Sequence, residues 1–207
     1  MVRVDFPGFG AAPAREPVLD ELGRAALLVA LLDELGIVSV TALGHSVGGA
    51  VATALASLAP TRVTGLALVA TAGARPHLGF RLTPFRSLVV GLRYRWLRGA
   101  TRVLLRQWFS AAGFPRRLPL AELEETTLAA AKVDFAAHGA RIAALKLPTL
   151  LAWARDDRIV EARVIDELAP LCGPGARLRF EAGGHNLQKT KAVEIGAALK
   201  AWLLPPA

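Results

Sequence analysis

Short apolar runs alternate along this chain with longer segments whose apolar positions recur at helical spacing, the pattern of a parallel sheet with helices on its faces. Val2–Asp5 reads as a short strand, stopped by the turn-forming Pro7-Gly8-Phe9-Gly10. Val18–Leu35 is a predicted helix, because Leu19, Leu22, Ala26, Val29 and Leu32 share one face. Gly36 follows its last turn, where a left-handed cap favours glycine. Val38–Leu43 is the next predicted strand, ending at Gly44, and Val47–Leu58 is a small-residue helix closed by Pro60. Val63–Ala70 is an apolar strand, buried on both faces if the sheet is parallel.

The alternation then breaks. From Arg75 to about Leu145 the signals are helical only, with prolines at 76, 84, 115 and 119. Phe85, Leu88, Val89, Leu92 and Trp96 fall at helical spacing there, and Trp108-Phe109 adds aromatic surface. Such a stripe serves either packing or the lining of an acyl or aryl pocket. The alternation resumes after Pro148 with the strand Thr149–Ala154, a helix from about Glu161 to Leu171, the strand Ala176–Glu181 and a last helix from about Gln188 to Leu203. The predicted fold class is α/β, with a mostly parallel sheet of about five strands. The core is expected in residues 1–74 and 146–207, with a helical insertion at 75–145.

Composition narrows the function classes. With 207 residues, 53% of them hydrophobic and 20% charged, the chain can bury a sizeable core and is not a disordered protein. No apolar run approaches the roughly 18 residues that span a bilayer, and Met1–Pro7 lacks the apolar core of a secretory signal. The single Cys172 excludes an intramolecular disulfide and a cysteine-rich metal site, so a cytoplasmic location is expected. The net charge of +8 is carried largely by arginine. Between Arg75 and Ala121 every charged residue is an arginine, which suits either a solvated cationic face or contact with anionic lipid or substrate. Nucleic acid is not an expected partner, since no nucleic-acid-binding fold is recognisable.

The candidate chemistry is nucleophilic. Gly44-His45-Ser46-Val47-Gly48 fits a G-x-S-x-G elbow between a predicted strand and a predicted helix. There a strained turn projects the Ser46 hydroxyl at a helix N-terminus, and the Val47 N–H can meet a developing oxyanion. A serine needs a base, and the base an orienting acid. Of the four histidines, His45 is inside the elbow, its ring expected to point away from the nucleophile; His77 and His138 lie in the insertion as surface or packing residues. His185, in Ala182-Gly183-Gly184-His185-Asn186 after the last predicted strand, is the expected base. The acid is expected after Leu150–Ala154, where Asp156 and Asp157 compete; Asp156 could instead cap the turn or pair with Arg158, and Asp134 is an outside candidate.

These motifs together resemble the α/β-hydrolase superfamily, in its esterase, lipase and carbon–carbon hydrolase branch. Asp5-Phe6-Pro7-Gly8-Phe9-Gly10 is similar to its D-x-P-G-x-G turn, and Gly44–Gly49 to its G-H-S-x-G-G elbow. Trp153-Ala154-Arg155-Asp156-Asp157-Arg158-Ile159-Val160 resembles its W-G-x-x-D-x-x-V acid turn, with alanine in place of glycine, and Gly184-His185 its catalytic loop. The resemblance places the acid on Asp157. It implies a triad of Ser46, Asp157 and His185, an oxyanion hole using the Val47 N–H, a small ester-type substrate, and no metal or organic cofactor. The nucleophilic serine sets the chain apart from relatives that attack with aspartate. The insertion at 75–145 takes the place of the family's helical cap.

One departure stands out. The family's D-x-P-G-x-G turn follows three strands and a His-Gly loop that supplies a second oxyanion N–H; here it begins at residue 5. The resemblance therefore implies a gap in the sheet beside Val38–Leu43 and half an oxyanion hole, a loss worth on the order of 10²–10³ in turnover. Met1 reads as an internal start, a misassigned start or the start of a decayed gene; a rearranged N-terminus that closes the gap is the remaining alternative. The expected activity is ester hydrolysis. Carbon–carbon bond hydrolysis or acyl transfer on the same triad is the alternative within enzymes, and an inactive binding or scaffold protein the alternative outside them.

Overall fold

The computed structural model describes residues 1–111, 114 and 116–204; Pro115, noted above, lies outside them. In chain order they form α1 (Glu21–Glu34), β1 (Val40–His45), α2 (Val47–Leu58) and β2 (Val63–Val69). Five helices follow: α3 (Leu78–Leu82), α4 (Phe85–Arg93), α5 (Arg95–Ala111), α6 (Leu120–Ala130) and α7 (Phe135–Leu145). Then come β3 (Thr149–Ala154), α8 (Ala162–Leu168), a 3-10 turn (Ala169–Leu171), β4 (Arg177–Phe180), α9 (Leu187–Thr190) and α10 (Ala192–Leu203). Two compact units result, one of residues 1–20 with 80–133, the other of 21–79 with 134 onward.

The second unit holds the sheet. Its four strands among the described residues are parallel and ordered β1-β2-β3-β4, with Leu43 opposite Ala67, Val69 opposite Ala152 and Ala154 opposite Phe180. Because all four run the same way, the loops after β1, β3 and β4 leave one edge together, where open α/β sheets carry their sites. Strand residues alternate between the faces. Ala67, Val69, Leu150, Ala152 and Ala154 join Leu187 and Ile195 in one core, with Leu199 and Trp202 of α10 packed against it. Helix α2 lies beside β1 and β2, buried continuously from Gly49 to Ala56. Its small side chains permit that close approach. Helix α7 packs on α2 and buries Phe135, His138, Gly139 and Ile142. An ion pair, Arg141 to Glu21 at 2.8 Å, joins α7 to α1.

Two expectations from the sequence need correction. The strand Val2–Asp5 does not form; residues 1–6 are irregular, and Met1–Asp5 are exposed. Alternating apolar residues make a strand only beside a ladder partner. The segment instead bends into a turn closed by Phe9 N–H to the Phe6 carbonyl at 2.9 Å, with the Asp5 carboxylate accepting from Ala11 N–H at 3.3 Å. The sheet accordingly has four strands among the described residues rather than about five, and β1 is its edge strand, with Leu43 55% exposed.

The apolar stripe through Trp96 also breaks. Tyr94 takes an extended conformation, so α4 ends at Arg93 and α5 restarts at Arg95 with a new helical phase. Leu88 and Leu92 of α4 are buried with Leu105, Phe109 and Leu123, whereas Trp96 is 79% exposed. Buried Glu124 of α6 accepts hydrogen bonds from Arg98, at 2.7 Å, and from Arg102, which ties α5 to α6. No helix among the described residues is long and apolar enough to cross a membrane.

Candidate active site

Ser46 sits in the one-residue step between β1 and α2, at φ 53° and ψ −124°. This backbone region is costly for any residue with a side chain, on the order of 1–3 kcal/mol. Neighbouring hydrogen bonds hold it: Ser46 N–H donates to the Val69 carbonyl at 3.0 Å, and Gly49 N–H to the Ser46 carbonyl at 2.9 Å. Two glycines allow the turn. A Cβ on Gly44 would lie 2.2 Å from the Gly48 oxygen, and one on Gly49 would lie 2.0 Å from Thr71 Oγ1. Val47 is the first residue of α2, so its N–H is one of those a helix leaves unpaired within itself.

The elbow, the turn after β3 and the loop after β4 bring three side chains into line. His185 Nε2 lies 3.0 Å from Ser46 Oγ, and His185 Nδ1 lies 2.9 Å from Asp157 Oδ2. The Asp157 and His185 side chains are only 1% and 5% exposed. The other Asp157 oxygen, Oδ1, accepts from Ile159 N–H at 2.8 Å and Val160 N–H at 3.0 Å. Both carboxylate oxygens are thus engaged, which fixes the plane presented to the imidazole.

The competing aspartates do other things. Asp156 Oδ1 accepts from Gly183 N–H at 2.9 Å and Gly184 N–H at 2.8 Å, so it holds the histidine loop rather than the imidazole. Asp134 caps α7 by accepting from Ala137 N–H at 2.9 Å.

Burial disfavours the charged form of each of the other three histidines. His45 Nε2 lies 2.8 Å from the His185 carbonyl, and its ring centroid 5.0 Å from that of His185. Burial first, and then the nearby His185, push its pKa down to about 4. His77 Nδ1 lies 2.8 Å from the Ile159 carbonyl, at the acid turn, and its pKa is lowered by burial. His138, fully buried on α7, lies with Nε2 3.0 Å from the Ala72 carbonyl, and burial pushes its pKa down to about 4. The bonds of His45 to the His185 carbonyl and of Asp156 to the Gly183 and Gly184 amides are not among the contacts expected from the sequence. The available signal was position, since His45 and Asp156 each directly precede a residue of the hydrogen-bonded chain.

No cluster of three or more His, Cys, Asp or Glu side chains placed to hold a metal occurs among the described residues. The arrangement supplies a hydroxyl, a base on it and a carboxylate on the base, which is the equipment of nucleophilic acyl transfer.

Comparison with known proteins gives the same family. A family model described as "Alpha/beta hydrolase family" matches residues 1–195. The chain is 32% identical over 205 residues to a "2-hydroxy-6-oxononadienedioate/2-hydroxy-6-oxononatrienedioate hydrolase" of Cupriavidus pinatubonensis, covering 89% of this chain and 69% of that protein. It is 30% identical over 213 residues to a "Dihydrolipoyllysine-residue acetyltransferase component of acetoin cleaving system" of Pseudomonas putida, covering 98% of this chain and 56%, about half, of that one. Among solved structures, a thermophilic esterase from Thermogutta terrifontis superposes with a TM-score of 0.74 at 23% identity, covering 96% of this chain and 77% of that one, a likeness of fold. The chain belongs to the α/β-hydrolase family.

Proposed function

We propose that this chain is a serine hydrolase of small carboxylic esters, with Ser46 as nucleophile, His185 as general base and acid, and Asp157 as the orienting carboxylate. The observation that carries this reading is the unbroken chain from Ser46 Oγ through His185 to Asp157, at 3.0 and 2.9 Å. In the proposed reaction Ser46 Oγ adds to the ester carbonyl carbon while His185 Nε2 takes its proton. The carbonyl oxygen becomes an oxyanion, stabilised by the Val47 N–H and the N-terminal end of α2. Collapse expels the alcohol, which takes the proton from His185, and leaves an acyl-serine. Water repeats the two steps, its proton passing through His185, and releases the acid. Asp157 holds Nδ1–H throughout and stabilises the imidazolium.

A second reading keeps the triad and changes the substrate. The names of the 32%- and 30%-identical relatives favour a hydrolase of the carbon–carbon branch or an acyltransferase. Labelling by a fluorophosphonate tests what all three reactions share, an activated Ser46, and turnover of short and long acyl esters then separates ester hydrolysis from the others. A folded chain that is never labelled would favour an inactive binding protein.

For the helical insertion the proposed partner is an anionic lipid surface. Helix α5 exposes Trp96, Val103 and Leu104 in a stretch whose charges up to Ala121 are all arginine. Apolar and basic residues together suit an interfacial helix. Co-sedimentation with phosphatidylglycerol vesicles, weakened at least several-fold by Trp96→Ser and absent with phosphatidylcholine, is the expected result. Equal binding to both vesicle types, or to neither, would contradict it.

A further inference from the structure

The residues that precede His185 cannot fix it by themselves. Gly183 and Gly184 carry no side chains, and Gly184 stands at φ 62°, so these two residues can be held only through their backbone groups. Acyl transfer nevertheless needs the imidazole placed to within about 0.5 Å. Hydrogen bonds from outside the loop supply the constraint. On the approach side Asp156 Oδ1 accepts from Gly183 N–H and Gly184 N–H, at 2.9 and 2.8 Å, and Thr190 Oγ1 donates to the Gly183 carbonyl at 2.7 Å. At His185 itself the carbonyl receives His45 Nε2 at 2.8 Å. A carbonyl oxygen only accepts, so His45 carries its proton on Nε2.

From this geometry we infer that His45 and Asp156 are a pair of positioning residues, holding the His185 loop from its two ends so that the imidazole is aimed at once at Asp157 and Ser46. The inference rests on the serine-hydrolase reading for its catalytic meaning. His45 is well suited to the task. It precedes the nucleophile, so one rigid elbow sets both the attacking hydroxyl and the backbone of its base. Burial keeps it neutral at pH 7, so it contributes a donor without a second cation beside the ring that becomes charged in the reaction. Asp156 does the corresponding work from the turn that carries Asp157. Ser46 and Asp157, which flank the imidazole, therefore each have a sequence neighbour that holds the His185 loop.

Four variants separate positioning from bulk. His45→Phe keeps an aromatic ring and loses the donor, while His45→Gln keeps a donor. Asp156→Ala loses the acceptor, while Asp156→Asn keeps an acceptor oxygen and loses only the charge. The readouts are the second-order rate of fluorophosphonate labelling at Ser46 and the low-field proton resonance of His185 Nδ1–H.

His45→Phe and Asp156→Ala are expected to slow labelling about 10- to 100-fold, the usual scale of a misplacement near 1 Å, and to broaden or lose the resonance. His45→Gln and Asp156→Asn are expected to restore both to near the wild-type values. Labelling at the wild-type rate with an unchanged resonance in His45→Phe and Asp156→Ala would overturn the inference. Should His45→Phe fail to fold, the Asp156 pair decides alone, since Asp156 is exposed. If the folded wild-type chain is not labelled at all, the hydrolase reading falls. The resonance still decides the positioning, by its loss or persistence in the donor- and acceptor-deleted variants.

Discussion

On the proposed triad, Asp157→Asn should lower kcat for ester turnover by about 10⁴-fold with little change in KM, the scale seen when the orienting acid of a serine triad becomes an amide. The hydrogen bonds give the reason. Asp157 Oδ1 faces two N–H donors, Ile159 and Val160, and only an acceptor can stay there. The amide that replaces this carboxylate must therefore keep its oxygen on those donors and turn its NH₂ toward His185 Nδ1. A donor facing Nδ1 forces the imidazole proton onto Nε2. Nε2 then has no lone pair for the Ser46 proton, and the nucleophile is not activated. Asp156→Asn meets no such conflict, because its oxygen can remain on Gly183 and Gly184 while its NH₂ faces solvent. Steady-state kinetics on the two variants should thus differ by orders of magnitude. Equal losses would mean that the two aspartates share the acid's role.

Stability should fall as the pH drops from about 6.5 toward 4, with His138 contributing to the loss. The unfolded chain binds this proton near the ordinary histidine value, 6.5, whereas the buried ring binds it only near 4. Between those values unfolding takes up a proton, so the stabilisation is complete above pH 6.5 and is lost as the pH falls. The slope is about 1.4 kcal/mol per pH unit for one histidine, and the loss reaches roughly 3 kcal/mol by pH 4. His45, also near 4, adds in the same direction. Urea unfolding at several pH values measures this, and His138→Gln should flatten the dependence whatever it does to stability at pH 7. An unchanged slope in that variant would show that His138 is not held neutral.

The parts of the fold legible in the sequence are those written in local pattern. Helix α2 and strand β3 fall where small-residue and apolar runs place them, since both are buried and bounded by sharp turns. The order strand, Ser46, helix was legible because the elbow needs glycine on both sides, a steric demand that leaves a sequence trace. Val2–Asp5 misled because alternation records only what a segment could pair with, not whether a partner is there. Trp96 misled because helical spacing continues across Tyr94 while the helix does not. The parts of the site that stayed hidden are nonlocal and carried by backbone groups. Nothing in the string Gly183-Gly184-His185 says that its amides meet Asp156 or that its carbonyl meets His45, since hydrogen bonds to main-chain atoms ask no particular residue of the other side.

The most direct test of an activated Ser46 is mass spectrometry of the purified 207-residue chain after treatment with a fluorophosphonate, with peptide mapping of the adduct and Ser46→Ala and His185→Ala beside it. The expected result is one adduct per chain on the peptide holding Ser46, absent in Ser46→Ala and slowed at least about 10³-fold in His185→Ala, in keeping with the loss of a triad base. A folded wild-type chain that carries no adduct, or one that carries it elsewhere, would contradict the serine-hydrolase assignment.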